Sequence, residues 1–168
     1  MQIASLQHVL LRELRALRRE IEAYPDDETP WRQVPGAPNA GGTLALHLAG
    51  NLQHYVGARL GGTGYLRDRN AEFALRDVKR NEILRRIDAA VDAVERTLSR
   101  LDAGILDRPF PEPIGGCTVE TGDFLLHLAA HFAFHLGQID YHRRLVTGDR
   151  RSAGAMAVRE LRSARPAG

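Results

Sequence analysis

Histidines are concentrated in one short stretch of the chain, HLAAHFAFHLGQIDYH. Four of the seven histidines in the 168-residue chain lie within its sixteen residues. If the stretch is helical, at 100° per residue, His127, His131, His135 and His142 fall within an arc of about 80°. Imidazoles that share a helix face can bind a metal ion, so the stretch indicates a candidate metal site.

Neighbouring histidines in this stretch have the spacing of metal ligands. Two histidines four residues apart can direct their rings to one point, as in the HExxH zinc motif. The pairs His127/His131 and His131/His135 both meet that condition, and the spacing does not choose between them. One ion cannot bind all four rings, because His131 and His142 lie about 16 Å apart along a helix.

A third ligand is expected from another helix, and the segment LHLAGNLQHY offers candidates. His47, Asn51 and His54 lie at i, i+4 and i+7, which places them on one helix face. His47 with one HxxxH pair predicts a three-histidine site with coordination positions left for water or substrate. Such a donor set suits zinc first, and also nickel or ferrous iron. The HExxH glutamate and the paired glutamates of di-iron bundles are absent from the sequence.

Four helices, separated by proline- and glycine-rich breaks, are predicted to position these histidines. Hydrophobic residues at spacings of three and four indicate amphipathic helices, and no strand alternation is present. Thr43 is the predicted N-cap of the second helix and Thr118 that of the fourth. The sequence therefore predicts an all-α four-helix bundle. The predicted helices cover residues 3–24, 44–60, 77–103 and 119–146.

The segment GGTGYLRDRNAEFALRD, between the second and third helices, is predicted to be a loop of about fifteen residues. Its charged residues Arg67, Asp68, Arg69 and Glu72 are expected to form a structural salt-bridge network. As an alternative, Arg67 or Arg69 meets an anionic substrate at the mouth of the site.

The excess positive charge lies at the C-terminus. The chain has a net charge of +2, while residues 150–168 alone contain five arginines and one glutamate. Aromatic residues make up 6% of the chain and do not alternate with the basic ones, so nucleic-acid binding is not favoured. We expect residues 1–148 to form one bundle domain and residues 149–168 a mobile Arg-rich tail with a short helix near 156–163.

Composition and hydropathy indicate a cytoplasmic protein. Hydrophobic residues account for 43% and charged residues for 26% of the chain, as in ordinary globular proteins. No apolar stretch approaches the ~20 residues of a membrane span, and the N-terminal segment lacks the pattern of a signal peptide. The single cysteine, Cys117, excludes an intramolecular disulfide and fits a reducing compartment.

Three segments together resemble the DinB/YfiT-like superfamily of metalloenzymes, and most closely a DinB-like subgroup whose function is not known. The segments are LHLAGN at 46–51, YLRDRNAEF at 65–73 and HFAFHLGQIDY at 131–141. The resemblance covers residues 1–147 and implies an up-down-down-up four-helix bundle. It also implies a divalent metal bound by one histidine of the second helix and two of the fourth. Matched onto this sequence, these are His47 and the HxxxHxGQ pair His131 and His135.

The resemblance further implies roles for neighbouring residues and for partners. Gln138 and Asn51, each about one turn after a ligand, are expected to orient a histidine or contact substrate. His127 and His142 are then expected to be packing residues or to lie in a second layer behind the ligands. Relatives transfer or isomerise small molecules with low-molecular-weight thiols such as bacillithiol, mycothiol or glutathione, and many are homodimers.

These expectations lead to two competing hypotheses. The first is a divalent-metal-dependent enzyme, a homodimer that catalyses thiol S-transfer or hydrolysis on a small-molecule substrate. The second is a non-catalytic bundle in stress response or oligomeric assembly, with a structural or vacant metal site.

Overall fold

The computed structural model describes residues 2–167, and over these residues it contains helices and no β-strand. The predicted all-α fold class is therefore confirmed. None of the described helices combines the length and apolarity needed to cross a bilayer. The α-helices of the described chain are α1 (Ile3–Glu22), α2 (Gly41–Leu52), α3 (Arg69–Ala74), α4 (Arg80–Leu98) and α5 (Thr121–Thr147).

The two amphipathic helices, α1 and α4, follow the predicted hydrophobic pattern. α1 begins at Ile3, as predicted, and ends at Glu22. α4 is shorter than the predicted 77–103 at both ends. Asp77 has a φ of +59°, in the left-handed region, so a right-handed helix cannot include it. At the other end, the Asp102 carboxylate accepts a hydrogen bond from the Gly104 N–H (2.7 Å) and starts a separate 3₁₀ turn.

The prediction of Thr43 as the N-cap of α2 is wrong. α2 begins at Gly41, after Ala40, and Thr43 is buried inside the helix. A Cβ added at Gly42 would lie 3.0 Å from the Trp31 ring. Gly42 thus allows close packing of the first helical turn against Trp31, and Gly41 allows close packing against Tyr24, where the sequence suggested a loop.

The prediction of Thr118 as the N-cap of α5 is also wrong. The Phe110 N–H donates to the Val119 carbonyl (2.8 Å), and the Thr121 N–H donates to the Arg108 carbonyl (2.9 Å). These bonds hold the residues before α5 in an extended conformation. The helix therefore begins only at Thr121.

The segment between α2 and α4 contains more helix than predicted. α2 continues directly into a π-helix, Gln53–Leu60, which ends at the predicted position. Further along, the Asp68 carboxylate accepts a hydrogen bond from the Ala71 N–H (2.9 Å) and caps α3. The prediction of a continuous charged loop is wrong for Arg69–Ala74, because this cap starts a helix there.

The four long helices enclose one hydrophobic core. α1 packs against α4 and α5, and α2 packs against the same two helices, while α3 lies on α2. The largest fully buried aliphatic side chains come from α1, α2 and α4: Leu10, Leu14, Leu17, Ile21, Leu46, Leu48, Leu52, Ile83 and Ile87. The α2–α5 contact places the histidine-bearing helices side by side.

The C-terminal segment lies along α1. The Arg19 guanidinium donates to the carbonyls of Ala153 (2.6 Å) and Gly154 (3.2 Å), and His8 contacts the Glu160 carbonyl. The short helix predicted near 156–163 is a 3₁₀ turn at Val158–Glu160. The mobility of this segment and the domain boundary at 148 stay predictions.

A buried polar contact ties α5 to the chain that follows α1. The Nδ1 of His142 lies 2.7 Å from the Tyr24 hydroxyl, and its Nε2 lies 2.8 Å from the Arg32 carbonyl. A carbonyl can only accept, so Nε2 carries the hydrogen and Nδ1 accepts from Tyr24. Burial lowers the pKa of His142, against the opposing effect of its bond to Arg32.

We expect His142 to make the folded protein less stable at acid pH. The unfolded chain takes up a proton at an ordinary histidine pKa, about 6.5, whereas the folded chain resists protonation. The free energy of unfolding should therefore decrease as the pH falls below about 6.5 and through the lower folded pKa. Urea unfolding of metal-free protein at pH 8, 6.5 and 5 measures this decrease.

The matched variant is His142→Gln, which stays neutral at all three pH values. Its free energy of unfolding should decrease less over the same range, and the other histidines contribute equally to both proteins. An equal decrease in wild type and variant would contradict the assignment to His142.

Candidate metal centre

The packing of α2 against α5 brings His47, His131 and His135 together. One ligating nitrogen from each residue can be chosen so that all three lie within 4.8 Å of one another. His47 is buried, whereas His131 and His135, one turn apart on α5, are partly exposed. The group is therefore closed on the α2 side and accessible from the α5 side.

The spacing and the type of these donors fit a divalent cation. The Nε2 atoms of His47 and His131 are 3.4 Å apart. Two nitrogens bound to one tetrahedral zinc ion at about 2.0–2.1 Å lie about 3.3–3.4 Å from each other. Three imidazoles without a carboxylate suit zinc, nickel or ferrous iron, and they leave coordination positions open. The three histidines could therefore hold a metal ion.

Glu72 fixes the orientation of the His47 ring. Its Oε2 lies 3.0 Å from His47 Nδ1, closer than the Arg67 Nη2 at 3.3 Å. Nδ1–H therefore donates to the carboxylate, and Nε2 keeps its lone pair and faces His131. A carboxylate that holds a histidine in this way is typical of metal sites, where it sets the tautomer and raises the basicity of the ligand.

Arg67 in turn holds Glu72. Its Nε and Nη2 donate to the two carboxylate oxygens at 2.7 and 2.8 Å. Burial alone would raise the pKa of Glu72, but the bonds from Arg67 and His47 outweigh burial and keep the pKa below its usual range. Glu72 is therefore ionised at neutral pH. Its carboxylate occupies the space over Gly50, where a Cβ would overlap it.

His131 and His135 are neutral at physiological pH. Burial, reinforced by the neighbouring His135 and His47, lowers the pKa of His131 to about 4. Burial also lowers the pKa of His135, against the opposing effect of its bond to Gln138. A neutral imidazole offers a free lone pair, which is the form that binds a metal.

The two residues predicted to support the ligands lie in different environments. The Gln138 Oε1 is 2.7 Å from His135 Nδ1, so the amide oxygen accepts from Nδ1–H and leaves Nε2 for a ligand. Asn51 is buried on α2, and within residues 2–167 its side chain makes no hydrogen bond to the three histidines. A contribution of Asn51 to the site stays a prediction.

The remaining histidines lie outside the group. His127 is exposed, with its ring stacked on that of His131 at a centroid distance of 6.1 Å. His142 is engaged by Tyr24, and the His54 Nε2 lies 2.9 Å from Glu112. Of the two pairs that spacing left open, the structure thus joins His131/His135 to His47.

The predicted salt-bridge network of Arg67, Asp68, Arg69 and Glu72 is present in part. Among residues 2–167, Arg67 pairs with Glu72, whereas Asp68 caps α3 and Arg69 lies over the Phe73 ring. The contact of this ion pair with His47 was not predicted. Asp68 is a preferred N-cap residue and the residues after it are compatible with a helix, so this pattern could have predicted α3. No sequence signal linked Glu72 to His47, because the two residues are 25 positions apart and meet only through packing.

Comparison with known proteins places most of the chain in one family. Residues 10–139 match the sequence model of the DinB superfamily. The matched range includes His47, Glu72, His131 and His135. Among curated proteins, none matches the chain.

The role of Glu72 can be tested through metal affinity. Glu72→Gln removes the charge that holds Nδ1–H and should weaken Co²⁺ or Zn²⁺ binding about 10–100-fold. Competition with a chromophoric chelator measures the dissociation constant. Gly50→Ala should weaken binding in the same direction, because its Cβ displaces the carboxylate without touching a histidine.

Glu112→Gln is the matched control. Glu112 contacts His54 (2.9 Å) and Arg59 much as Glu72 contacts His47 and Arg67, but it lies outside the group. The metal affinity of the Glu112→Gln variant should stay within about twofold of wild type, which is a change in binding free energy below about 0.5 kcal/mol. Equal losses in the two Glu→Gln variants, or no loss in either, would contradict the role of Glu72.

Proposed function

Because this chain belongs to the DinB superfamily, we propose that it is a divalent-metal-dependent enzyme that acts on a small molecule. His47, His131 and His135 are the proposed ligands. The observation that carries the proposal is the convergence of their ring nitrogens within 4.8 Å, on a side of the bundle that substrate can reach. Zinc is the proposed ion, with nickel and ferrous iron as alternatives.

The proposed reaction is thiol S-transfer or hydrolysis. A divalent ion held by three neutral imidazoles supplies Lewis-acid chemistry, lowering the pKa of a thiol or water and polarising a carbonyl. The neutral donor set supports this choice, because no ligand carboxylate offsets the charge of the ion. A low-molecular-weight thiol is the proposed co-substrate.

The chain's own residues have positioning roles in this proposal. Glu72, held by Arg67, keeps His47 Nδ1 protonated and Nε2 available. Gln138 does the same for His135. Both contacts fix the rings before an ion arrives, which reduces the reorganisation needed for binding.

We also propose the up-down-down-up arrangement for the four long helices. Two observations support it. α1 and α2 each pack against both α4 and α5. Tyr24, just after the end of α1, contacts His142 near the end of α5 and Gly41 at the start of α2. Tyr24 also contacts Arg80 at the start of α4, so α2 and α4 begin where α1 and α5 end. In this arrangement the site lies between the second and the fourth long helix.

Elemental analysis of purified protein tests the ligand set. Wild type should contain about one divalent ion per chain, and the double variant His131→Ala, His135→Ala should contain less than a tenth of that, because one imidazole alone binds weakly. His127→Ala is the control, since His127 lies on the same helix face outside the group. Metal retained in the double variant would reject the ligand assignment.

Removal of the ion distinguishes a metal-dependent enzyme from a non-catalytic bundle with a structural ion. The core is built from apolar side chains of the long helices, so chelator-treated protein should keep its far-ultraviolet circular dichroism at 25 °C. Loss of helix on chelation would favour a structural ion instead.

Thiol binding gives the sharper test of the proposed chemistry. Titration of Co²⁺-substituted protein with bacillithiol, mycothiol and glutathione should produce a near-ultraviolet thiolate-to-cobalt absorption with at least one of them. The band should be absent from the His131→Ala, His135→Ala variant. Unchanged spectra with all three thiols would exclude thiol transfer and leave hydrolysis.

A further inference from the structure

A cavity of about 410 Å³ borders the histidine group on the α5 side. It lies between α5, the first turns of α2 and the segment 34–39, and its volume is in the range of small-molecule sites, about 300–1,000 Å³. Its wall is mostly apolar: Val34, Ala37, Pro38, Leu44, Tyr141 and Leu145. Tyr141 and Leu145 are 70% and 65% exposed, which marks the open side of the cavity.

The cavity shares His135 with the proposed metal site. His135 and Gln138 both belong to its wall, and they are hydrogen-bonded to each other at 2.7 Å. A molecule seated in the cavity therefore touches a residue of the histidine group. The mostly apolar cavity therefore adjoins the histidine group through His135.

Among residues 2–167, no charged side chain lines the cavity. Its polar groups are neutral: the amides of Asn39 and Gln138, the Tyr141 hydroxyl and the imidazoles of His135 and His142. An ionic group bound here would lose water without gaining a counter-charge, which is costly. The wall therefore favours an uncharged ligand.

The segment that forms one wall is held in place. Val34-Pro35-Gly36-Ala37 has proline and glycine at the positions that a type II turn requires, Gly36 has a φ of +80°, and the Ala37 N–H donates to the Val34 carbonyl at 3.0 Å. His142 secures the start of the segment by donating to the Arg32 carbonyl at 2.8 Å. The cavity is thus largely formed before a ligand binds.

We propose that this cavity binds the uncharged, apolar part of the substrate, an aromatic or branched alkyl group, and places its reacting end beside His135. The inference rests on the proposed function, because it assigns the cavity to the substrate of the same site. A thiol with several carboxylates, such as glutathione, does not fit this wall and approaches the histidines from elsewhere. The substrate class is therefore a neutral hydrophobic small molecule.

Two dyes that differ by one charge test the cavity. N-phenyl-1-naphthylamine is neutral, and 1-anilinonaphthalene-8-sulfonate is the same ring system with a sulfonate. Fluorescence titration of the full chain should give saturable binding of the neutral dye. The dissociation constant of the sulfonate should be at least about tenfold higher. Tighter binding of the sulfonate would overturn the proposal.

Leu145→Asp and Leu126→Asp are matched variants on α5. Both leucines are exposed, at 65% and 50%, but only Leu145 lines the cavity. Leu145→Asp should weaken neutral-dye binding at least tenfold, and Leu126→Asp should leave it within twofold. Equal effects of the two variants would overturn the assignment of the dye to this cavity.

Cobalt separates failure of this inference from failure of the proposed function. Co²⁺ bound at the histidines should quench the fluorescence of the bound neutral dye, and quenching should be lost in the His131→Ala, His135→Ala variant. Dye binding that responds to Leu145→Asp without any Co²⁺ uptake would reject the metal site and keep the cavity. Co²⁺ uptake without quenching would reject the cavity as part of that site.

Sedimentation velocity of the two aspartate variants completes the test. Both variants should have the sedimentation coefficient of wild type, because the cavity is proposed to bind a small molecule and not a second copy of the chain. A change of oligomeric state in Leu145→Asp alone would show that a second copy of the chain covers this face, and it would overturn the proposal.

Discussion

The buried ion pair between Arg67 and Glu72 is the interaction on which the histidine group depends. The two side chains are 8% and 5% exposed, and buried charges are tolerated only where each one is well paired. Arg67 uses two donors on the two carboxylate oxygens, and the remaining contact of Glu72 goes to His47. Rotation of the His47 ring would leave a buried carboxylate short of a partner, so the ring is held with Nε2 towards α5.

Several local features serve to place this ion pair against α2. Asp68 caps α3 and thereby orients the turn that carries Glu72, and the absence of a side chain at Gly50 leaves room for the carboxylate. On the opposite side, α5 supplies two half-buried imidazoles whose neutral state follows from burial. A site with one rigid, buried ligand and two accessible ones can hold an ion and still admit a small molecule from the α5 side.

The parts of the fold that follow from local patterns were predictable. The apolar stripe of α1 and the HxxxH spacing of α5 depend on helix periodicity, which a sequence shows directly. The N-caps were not predictable, because a threonine cap is worth only about 1 kcal/mol. That preference was outweighed at Thr118 by backbone pairing with residues near Phe110, and at Thr43 by packing of Gly41 against Tyr24 and of Gly42 against Trp31.

The sequence by itself determined that the chain is helical and that histidines four residues apart share one face of its last long helix. The spacing left His127 and His135 as alternatives, the family resemblance implied His131 and His135, and the tertiary structure brings these two residues to His47. Only the tertiary structure decided that a glutamate from a short unpredicted helix holds His47 and that an apolar cavity adjoins the group. Periodicity is a property of neighbouring residues, whereas His47 and His131 are 84 positions apart and meet only because the side chains of α2 and α5 pack in one register.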